Sequence, residues 1–197
     1  MDAMHHLDAA VDALVAHLQG ALNTALGSGV AAVVRGFVDT QTLTDAGVVE
    51  KLRVGIVAGQ STDTGHAPLH VGSGTYSAVT RQRYAVGNWR ASMQVDIVTD
   101  SRTKRDEAVV VVGAALRPHL LDAGLTLTCT THHDAKARFR MQTSDNVGDS
   151  EAVTIGAWRH TITLRSSGQI RQIRAVPVVV EANAVDLTTG DTLVTVE

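Results

Sequence analysis

The sequence predicts an α+β fold: a mainly antiparallel β-sheet with two packed α-helices, a long hairpin arm and a β-rich C-terminal extension. Three observations lead there. Met4, Leu7, Val11, Leu14, Leu18 and Leu22 recur at steps of three and four, which draws one apolar stripe down a helix. Trp89 to Thr99 alternates instead. Trp89, Ala91, Met93, Val95 and Ile97 share one face and Arg90, Ser92, Gln94 and Asp96 the other, the pattern of a strand with one wet side. Finally, Thr103 and Asp106 stand three apart, so that hydroxyl and carboxylate can satisfy free amides at a helix start. Ala108, Val112, Ala115 and Leu116 then follow at helical spacing, which predicts a second helix over Thr103 to Leu121 despite the β-branched run Val109 to Val112.

The remaining elements fall into place in chain order. Gly27-Ser28-Gly29 ends the first helix, whose Asp8, Asp12 and Gln19 lie off the stripe, so the helix rests on a sheet or on a neighbouring subunit. Val30 to Val38 and Leu52 to Ala58 read as strands, with a turn or short helix over Thr42 to Glu50. Gln60 to Gly74 is rich in small hydroxyl residues and glycine and contains Pro68, so it is either a long loop or the tip of an extended hairpin. Docking is the natural use of such a segment. Tyr76 to Tyr84 is a strand before the Trp89 strand, and Pro118 ends or kinks the second helix. Beyond Gly124, strands are expected at Thr126 to Thr131, Ala135 to Met141, Val153 to Leu164 and Gln169 to Ala182, with hairpins at His132-His133-Asp134 and at Ser166-Ser167-Gly168. Pro177 marks an edge or a broken strand, and Val185 to Glu197 ends in one last strand. This divides the chain into a core over 1–167 and an extension over 168–197. Gly87-Asn88-Trp89-Arg90 is echoed by Gly156-Ala157-Trp158-Arg159, which suggests two similar strands packed side by side.

Composition narrows the class of function. With 17 Lys and Arg against 20 Asp and Glu, the net charge of −3 supplies no global field for nucleic acid or acidic lipid. The chain is 44% hydrophobic and 19% charged, the balance of a packed globule. Aromatics make up 3%, so Val, Leu, Ile and Ala must build the core. The single Cys129 forms no intrachain bridge, which suits a reducing compartment, and charged residues interrupt the N-terminal segment too often for a signal peptide or membrane span.

No residue pattern names a reaction. His5-His6, His66 with His70, and His132-His133 beside Asp134 invite a metal reading; neighbouring residues of a strand point to opposite faces, though on a turn they could share an ion, and none has a zinc-site spacing. Exposed turn histidines are the plainer expectation, and no cofactor or metal is expected. Cys129, on a predicted strand near those histidines, reads as a small buried side chain rather than a nucleophile. The one directional pattern is basic. Lys136, Arg138 and Arg140 alternate with Ala135, Ala137 and Phe139, which puts three cations on one face; Arg81 with Arg83 and Arg171 with Arg174 add smaller groups. Such a face is a solvated sheet surface, a subunit interface or a surface toward nucleic acid.

The segment Gly87-Asn88-Trp89-Arg90-Ala91-Ser92-Met93-Gln94-Val95-Asp96-Ile97-Val98-Thr99, running into Arg105-Asp106-Glu107-Ala108, feeds a strand directly into a helix opened by charges. Together with the order of elements over Met1 to Leu164, it resembles the tail terminator and related neck (head-tail joining) proteins of tailed bacteriophages. The resemblance implies helices on a mainly antiparallel sheet and a structural role without catalysis. It implies a homohexameric ring at the head-proximal end of the tail that stops tube polymerisation and joins tail to neck. Partners would be other copies of the chain, the tail tube protein and neck or connector proteins. DNA would pass through the ring without sequence recognition, and no membrane would be involved. The location would be the virion, after synthesis in the host cytoplasm. Candidate contact residues are Leu7, Val11, Leu14 and Leu18 on the first helix, His66, Leu69 and His70 on the arm, and Lys136, Arg138 and Arg140 on the basic strand. A tube or other neck ring component is the second reading. A metal- or ligand-binding enzyme domain using the His132-His133-Asp134 turn is the reading from a different class.

Overall fold

The structure is a computed structural model and describes residues 5–38, 52–76, 79–117, 124–149 and 156–175, with two short strands at 184–185 and 192–194. Helix α1 (His6–Leu26) leads into strand β1 (Ala31–Arg35), followed by β2 (Leu52–Tyr76) and β3 (Val79–Thr99). Helix α2 (Arg102–Leu116) comes next, then β4 (Leu125–Cys129), a 3-10 turn (Thr130–His132), β5 (Ala135–Val147) and β6 (Trp158–Ala175). Strands β7 (Ala184–Val185) and β8 (Thr192–Val194) pair with each other.

Six strands form one sheet in the order β1-β2-β3-β6-β5-β4. Every pairing in it is antiparallel except β1 with β2, so the α+β architecture holds with one parallel edge. The sheet curls. Helix α1 touches both β1 and β4, which stand at opposite ends of the strand order, so the sheet must wrap around it. The leucine stripe explains the wrap: Leu14, Leu18 and Leu22 are fully buried in the one core that α1, α2 and the sheet share. Burying one leucine stabilises by roughly 1.5–3 kcal/mol. Gln19, expected off the stripe, ties down the exposed edge of the sheet. Its amide donates to Ala31 O at 3.0 Å and its oxygen accepts from Val33 N at 2.8 Å, so β1 presents less open ladder to a stray strand.

The inner sheet face is apolar as the alternation predicts. Trp89, Met93, Val95 and Ile97 are buried with Phe139, Ile162 and Leu164, under α1 and the Ala108, Val112 and Leu116 face of α2. Trp89 fits because its cross-strand partner is Gly168; a Cβ there would come within 2.6 Å of the indole Nε1 and 2.8 Å of Lys136 O. The Trp89 and Trp158 strands, β3 and β6, are direct antiparallel neighbours. Only Trp89 is fully buried.

Several boundaries differ from expectation. Helix α2 begins at Arg102 after an N-cap Ser101 whose side chain makes no capping bond, and Asp106 instead receives the Arg105 guanidinium at 2.9 Å. It ends at Leu116, ahead of Pro118, because the next proline cannot supply a helical N–H. No hairpin forms at Ser166-Ser167-Gly168: β6 runs unbroken from 158 to 175, since Ser166 donates to Ala91 O and Gly168 seats Trp89. Of the expected strand Tyr76 to Tyr84, Tyr76 closes β2, while Val79 to Tyr84 merges with Trp89 to Thr99 into one β3, and β5 continues past Met141 to Val147. The readings at Met4, Thr42 to Glu50 and Pro177 lie outside the described residues.

Candidate functional site

Of the two readings for Gln60 to Gly74, the extended hairpin holds and the long loop does not. Strand β2 runs through it and pairs with β3 as far as Tyr76 opposite Val79. The ladder tolerates Pro68 because the register slips between Gly65 and Leu69, where a residue without an N–H loses nothing. Past Gly87 the hairpin is joined by β6, whose Gln169 to Ala175 pair with Asn88 to Arg81. The result is a three-stranded arm. From Thr64 to Tyr76 it extends roughly 40 Å at about 3.3 Å per residue.

The arm is wet where the body is dry. Residues 64–70 are all exposed, and Leu69 stands 62% exposed. Its cohesion comes from ladder bonds and a cross-strand stack: the His70 ring meets Tyr84 edge-on at 5.5 Å, and the Arg174 guanidinium lies 5.3 Å over the same Tyr84 ring. Neither of its outer strands has a further strand beside it over most of its length among the described residues. Strand β1 covers only positions 52–56 of β2, and β5 stops opposite Gly168 of β6.

A clamped turn supports the root of the arm. His133 and Asp134 both adopt left-handed backbone, at φ 52° and 55°, a conformation that costs a non-glycine residue roughly 1–2 kcal/mol. Arg171 of β6 donates to His133 O at 3.2 Å and Asp134 O at 2.9 Å, and its backbone N–H donates to His132 Nε2 at 3.2 Å. Arg83 of β3 holds the Asp134 carboxylate at 2.8 Å. His132 is buried rather than exposed, because the turn folds back onto α1 and packs its ring 6.0 Å from that of His6. Burial pushes the His133 imidazole below its usual value. This turn therefore works as a buttress, with Arg83 and Arg171 as its bolts. Cys129 beside it is buried, and burial raises its thiol to about 11, so it is no nucleophile at neutral pH.

The outer sheet face gathers cations from three strands. Lys136, Arg138 and Arg140 all project outward from β5, as their alternation predicts. Arg140 stands opposite Arg165 of β6, and Arg138 stands opposite Ser167, which in turn faces Arg90 of β3. Because facing residues of a ladder share a side, five basic groups occupy one surface. Arg90 and Arg165 also line a shallow depression with Gln60, Thr62, Ser92 and Gln142. Among the described residues neither forms an ion pair. The sequence carried half of this: Arg90 was on the polar face by alternation, but the register that sets Arg165 beside Arg140 depends on long-range pairing. Toward Thr99 the same face closes with Asp96, fully buried, which accepts from Arg159 and Thr161 at 2.7 Å each and from Gln94 at 2.8 Å.

The other predicted contact residues separate. Val11, Leu14 and Leu18 face the chain's own core, and Leu7 is half-buried against it, which answers the sheet-or-subunit alternative in favour of the sheet. His66, Leu69 and His70 lie together on the exposed arm. At the far end of β6, His160 lies between Ser144 Oγ at 2.8 Å and Asn146 Oδ1 at 2.7 Å, and burial with the nearby Arg105 lowers its pKa. Ser144 sits on a regular strand, not on the sharp strand-to-helix turn that presents a hydrolase nucleophile. Arg105 is itself buried, bound to Asp106 and Asp149 with its guanidinium 5.4 Å over Trp158. No helix among the described residues is long and apolar enough to cross a membrane.

No protein-family model matches the chain, and no curated protein matches it in sequence. Among solved structures, the chain is similar to a component of the virion of a native gene transfer agent particle, at 11% identity and a TM-score of 0.42, over 83% of this chain and 96% of that one. It is also similar to the sheath/tube terminator of an extracellular contractile injection system in its extended state, at 12% identity and a TM-score of 0.36, over 98% of this chain and 67% of that one.

Proposed function

We propose that this chain is a structural protein of a phage-type tail, of the terminator kind: copies join into a closed ring, six by the sequence resemblance, that ends the tail tube and meets the neck. The observation that supports this most is the three-stranded arm. It is ordered by pairing, its β2 strand is exposed over residues 64–70, and beyond residues 52–56 that strand has no neighbour on its outer edge among the described residues. A sheet edge that ends in solvent is a template for another chain, and a ring needs two unlike patches on each copy. The arm supplies one, and the body of a neighbouring copy would receive it.

The basic sheet face suits a second contact. Five cations on an otherwise acidic chain would line the channel side of a ring and hold passing DNA through its phosphates, without reading bases. Negative-stain microscopy of the purified chain, alone and with tail tube fragments, tests the reading. Single closed rings that cap tube ends and halt their growth are the expected result. Open tubes grown from this protein alone would assign it to the tube instead, and a chain that stays monomeric and ignores tube ends would contradict both.

A further inference from the structure

Three polar side chains distant in sequence converge where α1 meets the root of the arm. His5 is the N-cap of α1, His6 is its first residue, and Asp63 lies on β2 just before the arm leaves the body. One potential ligand atom from each lies within 4.8 Å of the other two. His6 Nε2 and Asp63 Oδ1 are already 3.2 Å apart, close to the roughly 3.3 Å between two ligands that each sit about 2.0 Å from a tetrahedral ion. On a turn adjacent histidines can share an ion, but on a strand they diverge. At a helix start they do not: the two rings lie with centroids 4.0 Å apart and planes tilted by 35°.

We propose that His5, His6 and Asp63 form a binding site for a divalent transition-metal ion of the Zn²⁺ type, which pins the N-terminus of α1 to the root of the arm. Two imidazoles and one carboxylate suit such an ion, whereas Mg²⁺ and Ca²⁺ favour all-oxygen shells. The surroundings favour a built site. His6 is 6% exposed and held by packing against Trp89 at 5.8 Å and His132 at 6.0 Å, so its ring is positioned before any ion arrives. His5 and Asp63 are exposed, which leaves a path for the ion and room for water to complete its shell. His132 serves as a packing neighbour, since its Nε2 already accepts the Arg171 N–H. A bound ion would close the 57-residue span between His6 and Asp63 and fix the direction in which the arm leaves the body.

The test is calorimetric titration of tag-free, chelator-treated protein with Zn²⁺, beside thermal melts in Zn²⁺ and in Mg²⁺. One Zn²⁺ per chain is expected, with a rise in Tm that Mg²⁺ does not reproduce. His5→Gln and Asp63→Asn, both at exposed positions, are expected to keep the far-UV circular dichroism of the parent and to weaken Zn²⁺ by about tenfold or more, since loss of even an outer partner costs roughly 10–100-fold. Absence of stoichiometric Zn²⁺ binding to the parent chain, or binding that survives both substitutions unchanged, would overturn the proposal.

Discussion

The body and the arm are built from the same three strands, yet they follow opposite rules. In the body, β2, β3 and β6 present one apolar face to two helices, so Trp89, Met93, Val95 and Ile162 vanish from solvent. A few residues further along, β2 carries Thr64, His66, Leu69 and His70 into water, while β3 and β6 beside it are mostly half-buried. Burial holds the first region; ladder bonds, the His70-Tyr84-Arg174 stack and the arginine-clamped turn hold the second. The difference separates a body held by burial from an arm whose outer strand is held by pairing.

Substitutions in the two regions should therefore separate stability from assembly. The largest effect belongs to the body. Leu18→Ala, at a fully buried position on α1, should cost about 2–5 kcal/mol in urea unfolding, because the wrapped sheet collapses poorly around the space. Gly168→Ala tests the junction of the two regions. Its new Cβ would press on Trp89 Nε1 and Lys136 O, so a loss of about 1–3 kcal/mol is expected, and the intrinsic fluorescence of Trp89 should change with it.

Acidification gives a smaller effect that also belongs to the body. The His160 pKa is lowered in the folded chain from its ordinary value of 6.5, by burial and the Arg105 charge, so the unfolded chain takes up the proton first. The stability that neutral His160 contributes is complete above pH 6.5 and is lost as the pH falls from there through the lower folded value. His160→Gln should flatten that part of the stability curve relative to the parent chain. The smallest effect on folding is predicted for the arm: Leu69→Ser, at a 62% exposed position, should move stability by no more than about 0.5 kcal/mol while it weakens assembly. A melt that shifts as far for Leu69→Ser as for Gly168→Ala would erase the distinction.

What the sequence revealed follows the same division. The helix stripe from Leu7 to Leu22 and the alternation from Trp89 to Ile97 were legible because one-sided burial writes a period into a chain. The arm was legible as a hairpin but not in extent: wet along β2, it has no period to display, and its hydroxyls, glycines and Pro68 left a long loop open beside the extended hairpin. The alternation of Lys136, Arg138 and Arg140 was local and visible, whereas their meeting with Arg90 and Arg165 rests on pairings across dozens of residues. The same limit hid the His6 and Asp63 contact, and it left the parallel β1 edge unannounced.

The central claim is that the arm serves assembly and not folding. It is tested most directly by sedimentation velocity on a chain in which residues 73–82 are replaced by a two-residue Asn-Gly turn, joining Gly72 to its cross-strand partner Arg83. The shortened chain is predicted to unfold cooperatively near the parent Tm and to sediment as a monomer under conditions where the parent forms rings. Rings of unchanged size and stability, or a shortened chain that no longer folds, would contradict the account.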